Sequence, residues 1–216
     1  MHSISSILSK NHLPVGLIWL FHISGIIGIF LGFTDWFLEK TPLNLGICFI
    51  LLLLAWPLKS LSQVGVVYSF FAVGMFAEWC GVHYGFPFGN YTYGENLGIK
   101  LDGVPLLIGV NWAMLVLITG SIASKFVTRT WVKVLLGSFL MVFIDFFIEP
   151  NAANLGFWYW KNGFIPPSNY VGWLAISAML HVVFQRTIKE INFQFSINLY
   201  IAQLIFFASV YVYHII

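Results

Sequence analysis

PLLIGVNWAMLVLITGSIAS, residues 105–124, runs for 20 residues without a Lys, Arg, Asp or Glu. A helix of that length rises about 30 Å, the thickness of a bilayer's hydrocarbon core. The stretch reads as a membrane-crossing helix. Working outward from it, apolar runs between charged or Pro/Gly-rich breaks place six more at about 13–33, 43–58, 62–82, 131–149, 170–185 and 195–215. The 216 residues are 59% apolar and only 8% charged, against roughly 25% charged in a soluble domain. The predicted fold class is therefore all-α, a polytopic integral membrane helix bundle of about seven transmembrane helices forming a single membrane domain over 1–216.

That composition excludes a nucleic-acid module, which needs clustered basic residues, and a water-filled β-barrel, which needs ten-residue alternation. Cys48 and Cys80 lie in separate apolar segments and match no redox, haem or zinc spacing. The Ser-containing head Met1–Asn11 precedes an apolar run too long for a signal-peptide core, so the first span is expected to be retained. Lys10, Lys59, Lys125, Arg129, Lys133, Arg186 and Lys189 fall on one side of the spans; Lys40, Lys100 and Lys161 fall on the other. The positive-inside bias then predicts a multi-pass protein of the cytoplasmic (inner) membrane with its N-terminus in the cytoplasm and its C-terminus outside.

Two connections are unlike ordinary loops. HYGFPFGNYTYGENLGIKLDGVP (83–105) and EPNAANLGFWYWKNGFIPP (149–167) are rich in Gly, Asn, Pro and aromatic residues. This suits backbone that turns tightly and packs its rings at an interface. Both are predicted on the outer face. Beside them, three carboxylates fall within the spans: Glu78 near the end of the third, and Asp145 and Glu149 near the end of the fifth. An acid at membrane depth is costly unless it faces the protein interior with a partner, which makes each a functional candidate. Asp145 and Glu149 are four apart and share a helix face, where one carboxyl can hold a proton while the other is ionised. Pro150 predicts that Glu149 sits at the helix end. The alternative is structural, with these acids accepting hydrogen bonds from loop N–H groups or from Asn111.

The histidines form no metal-ligand cluster. His22, His181 and His214 are isolated in separate spans, and only His83 opens one of the unusual loops. No GxGxxG offers a nucleotide cradle, no aspartate-rich motif offers magnesium ligands, and the seventh span has no lysine for a retinal Schiff base. No metal and no cofactor is expected. The GxxxG from Gly28 to Gly32 implies close helix packing only.

FGNYTYGENLGIKLDGVPLLIGVNWAML (88–115) and DFFIEPNAANLGFWYW (145–160) together resemble the integral-membrane carotenoid biosynthesis protein family, which contains carotenoid hydratases of the bisanhydrobacterioruberin hydratase and γ-carotene 1′-hydratase type. The similarity is concentrated in 78–173. The resemblance implies cofactor-independent addition of water to the terminal 1,2 double bond of an acyclic carotenoid ψ-end, giving a tertiary alcohol. Such chemistry needs an acid to protonate C2, a site that tolerates a tertiary cation at C1, and a positioned water with a base. Asp145, as the deeper acid, is the expected proton donor, with Glu149 or Glu78 as base. Tyr91, Tyr93, Trp112, Trp158 and Trp160 are candidates to line the pocket, since aromatic faces stabilise cations. Asn90, Asn111 and Asn154 are candidates to orient water. The expected partners are an acyclic or monocyclic carotenoid entering laterally from the bilayer, and membrane lipid. A proton-initiated carotenoid cyclase, or a non-enzymatic carotenoid- or quinone-binding scaffold, would use the same residues differently.

Overall fold

A computed structural model describes residues 2–215, with side chains from His12 onward. The reading of Met1–Asn11 as a polar head, Lys10 included, lies outside the described side chains. The helices are α1 (His2–Phe30), α2 (Thr34–Glu39), α3 (Thr41–Ala55), α4 (Leu61–Tyr84), α5 (Leu106–Phe126), α6 (Thr130–Ala152), α7 (Pro167–Thr187) and α8 (Phe193–Ile215). Each of the seven predicted segments coincides with a helix; α2 occupies a connection where none is predicted.

Among the described residues, five helices are long and apolar enough to cross a membrane: α4, α5, α6, α8 and the His12–Phe30 part of α1. α3 is shorter, with 15 residues. α7 has 21 residues, but Ser168, Asn169, Ser177, His181, Gln185 and Arg186 dilute its apolar character. Leu20, Phe76, Phe139, Phe143, Phe146, Leu174 and Ile201 are exposed around the bundle. An apolar exterior of that extent suits hydrocarbon surroundings.

The stretch that opened the sequence reading becomes α5, the central helix. Its residues from Trp112 to Ala123 are all buried, and α3, α4, α6, α7 and α8 pack around it while α1 lies outside against α8 and α3. A helix apolar on every side is stable only when enclosed in this way. Gly74 of α4 allows a close approach: a Cβ there would stand 2.5 Å from the Trp112 side chain.

Two short ladders interrupt the helices. β1 (Tyr91–Tyr93) pairs antiparallel with β4 (Trp158–Trp160), and β2 (Lys100–Leu101) pairs with β3 (Val104–Pro105). The placement of Glu149 at the helix end is corrected: α6 continues through Pro150 to Ala152. Proline forfeits one backbone hydrogen bond. Beside it Asn151 ties α6 to α8, its amide donating to Phe147 O at 2.8 Å and to Phe207 O of α8 at 2.9 Å.

Candidate active site

The helices alternate in direction, so the C-terminal ends of α4 and α6 meet the N-terminal ends of α5 and α7 at one end of the bundle. The two aromatic loops cover that end together, with Tyr91 opposite Trp160, Thr92 opposite Tyr159, and Tyr93 opposite Trp158. Strand side chains alternate between faces. Tyr91 and Tyr93 accordingly point into the bundle and are buried, while Thr92 and Tyr159 face outward.

This ladder serves both acid sites. Glu78 of α4 is buried and accepts from three donors: the Tyr91 hydroxyl, the Tyr93 hydroxyl at 2.7 Å and Trp112 Nε1 at 2.8 Å. Burial, and then the neighbouring Glu78 carboxylate, push the Tyr91 and Tyr93 phenols well above the ordinary phenol value, so both remain hydrogen-bond donors. Across the site Glu149 accepts from Trp158 Nε1 at 3.1 Å, Trp160 Nε1 at 2.8 Å and Asn169 Nδ2 at 2.7 Å. The same Asn169 Nδ2 donates to Asp145 Oδ2 at 2.9 Å. Asp145 is fully buried, and its Oδ1 has no hydrogen-bond partner among the described residues.

Between the two acid sites opens a cavity of about 610 Å³ with mostly apolar walls. It extends from Glu78 and Glu149, past the Trp112 and Trp173 rings, to the inner faces of α1, α2 and α3. Those two rings stack with centroids 4.2 Å apart. The volume is that of an ordinary small-molecule site.

Of the predicted site residues, Glu78, Tyr91, Tyr93, Asn111, Trp112, Glu149, Trp158 and Trp160 line the cavity. Three others do not. Asp145, expected as the proton donor because it is the deeper acid, lies one turn below Glu149 and reaches the cavity wall only through the Asn169 amide that it shares with Glu149. Asn90 is exposed, its carbonyl accepting from Lys161 N at 3.0 Å in extension of the ladder. Asn154 is exposed in the turn after α6. Neither amide can orient a water inside.

Sequence reasoning missed Asn169 and Trp173: the sixth span was drawn from residue 170, which left Asn169 in the loop, and no motif set Trp173 apart within that span. It also missed His22 and Gln203, which line the cavity from α1 and α8. Both are polar residues in apolar spans, the signal that singled out the acids. His181, by contrast, is enclosed: its ring nitrogens meet Thr119 Oγ1 at 2.9 Å and Ser177 O at 2.8 Å. It is absent from the cavity wall, as its reading as an isolated histidine implies. His83 stays at the surface, beside Trp79 O at 2.9 Å and Asp102 Oδ2 at 3.4 Å.

Residues 42–216 match the family described as carotenoid biosynthesis protein, a region that includes every acid of the site. The chain belongs to that family. Within this carotenoid biosynthesis protein, 120 residues are 29% identical to bisanhydrobacterioruberin hydratase of Haloarcula japonica. The match covers 50% of this chain and 39% of that relative, so the chain spans well under half the length of the hydratase it resembles. No solved structure matches it.

Proposed function

We propose that this carotenoid biosynthesis protein is a hydratase that adds water, by acid catalysis and without a cofactor, to the terminal 1,2 double bond of an acyclic carotenoid end, in an acyclic or monocyclic substrate. The observation that carries the reading is the pairing of two buried acid sites across one apolar, ring-lined cavity. The relative's name adds support. The work is done in the cytoplasmic membrane, by a chain crossing it seven times with the roofed end outward, and the substrate enters between helices from the bilayer.

Glu149, on the cavity wall, delivers the proton to C2. Asp145 backs it through Asn169; two buried carboxyls joined by one amide hold a single negative charge at less cost than two. The tertiary cation at C1 lies against the Trp112 and Trp173 rings, where a desolvated cation gains on the order of 2 kcal/mol per aromatic face. Glu78, held as a carboxylate by three donors, offsets the developing charge from the other side. Water then adds at C1 and gives up a proton, leaving the alcohol.

Expression of the chain in a bacterium that accumulates lycopene or γ-carotene tests the reading by pigment mass. A gain of one water is the expected result. An unchanged mass with an altered chromophore would instead make it a cyclase, and unaltered bound pigment a scaffold.

A further inference from the structure

Hydration needs a place for water as well as an acid, and the α1–α8 wall of the cavity offers one that neither acid site uses. Trp19 Nε1 of α1 donates to Asn198 Oδ1 of α8 at 2.8 Å, and one helix turn or two further on Gly25 faces the Phe206 ring. The two helices therefore run parallel, and this register sets His22 level with Gln203. Both side chains are buried, with 5% and 7% exposure, and both line the cavity.

Their hydrogen bonding is incomplete in a directed way. His22 Nδ1 stands 2.8 Å from Ile18 O, so that nitrogen carries the hydrogen and Nε2 is left as an acceptor. Gln203 Oε1 meets no donor among the described residues. A buried amide oxygen left unpaired costs about 1–3 kcal/mol, a cost that a hydroxyl-bearing guest removes. Glu78 is a less suitable acceptor, because its oxygens are already engaged by three donors.

We propose that His22 and Gln203 hold the water that adds to the substrate, and that His22 takes its proton. This rests on the hydratase reading above. Water donates one hydrogen to Gln203 Oε1 and the other to His22 Nε2. Its oxygen lone pair forms the C–O bond to the C1 cation as one O–H bond breaks towards Nε2. The tertiary alcohol remains, His22 becomes an imidazolium, and its proton returns through solvent to the acid that protonated C2.

Gln203→Met and His22→Gln test the pair in heavy water. The first removes the amide at nearly constant shape. The second keeps an acceptor near Nε2 but cannot take a proton. A cation denied its water reverts by losing a proton, and loss of the original C2 hydrogen regenerates the alkene with deuterium at C2. Both variants are expected to lose about 10²-fold or more of the hydrated product while still exchanging the C2 hydrogen, and Gln203→Met to melt no lower than the parent. Hydration and exchange falling together would overturn the proposal, because that marks a defect in the acid step or the fold. So would a raised KM with an unchanged ratio of product to exchange, which marks recognition of a substrate group. A parent chain that exchanges deuterium but forms no hydrate would overturn the hydratase reading, and the water site with it.

Discussion

Glu78 and Asp145 are both carboxyls buried in helices at the same end of the bundle, yet their surroundings differ. Three donors from β1 and α5 converge on Glu78, whereas Asp145 receives one from Asn169 and keeps a bare Oδ1. A buried group with all its partners is expensive to alter and holds one charge state; one with missing partners has little to lose by changing. Glu149 stands between these cases, saturated like Glu78 but tied to Asp145 through a shared amide. The comparison teaches that the α4 acid is saturated by donors that anchor the loop ladder, whereas the α6 acids share one amide and leave an oxygen without a partner among the described residues.

The sharpest way to break this comparison is to neutralise the α6 acids one at a time. Glu149→Gln is expected to lower hydration per folded molecule by about 10²–10⁴-fold, the usual contribution of a general acid. Asp145→Asn is expected to keep most of its rate, because it lies behind the amide and touches no cavity. The reverse ranking, measured in detergent on matched folded protein, would return the acid role to Asp145.

The next effect is on stability. Glu78→Ala leaves three buried donors without an acceptor, each costing about 1–3 kcal/mol, and should melt far below the parent. Tyr93→Phe removes one donor and should lose about 1.5–3 kcal/mol, as for a hydrogen bond to a charged group. Thermal unfolding that ranks the two variants equally would mean that Glu78 is not anchored by its donors.

The smallest effect is alkaline. With their folded values raised, Tyr91 and Tyr93 contribute stability that is fully present below about pH 10, where an unfolded phenol titrates. That contribution is lost as pH rises above it, because the unfolded chain ionises first. Phenolate absorbance should show these two rings titrating above the ordinary phenol value, and Tyr93→Phe should flatten the alkaline fall in stability.

The run at 105–124 was legible as a buried span because it holds no charge, and the acids stood out because a carboxyl in hydrocarbon needs a reason to be there. That the two aromatic loops share one face of the bundle followed from counting spans. The pairing of Tyr91 with Trp160 did not: strand register across 68 intervening positions is set by the packing of α4 against α5 and of α6 against α7, which no local pattern encodes. Asn90 and Asn154 read like Asn111, since an asparagine in a turn and one in a pocket look the same until the backbone decides which way each points.

Helix positions, apolar exterior and the acidic character of the site were thus determined by the sequence alone, because burial in lipid acts on every residue separately and leaves a one-dimensional trace. Which acid meets the cavity, which amides saturate it, and that His22 and Gln203 share one level on its wall were decided by the tertiary structure. These are distances between groups far apart in the chain, and they depend on how helices pack and in what register, a property of pairs of helices and not of any single segment.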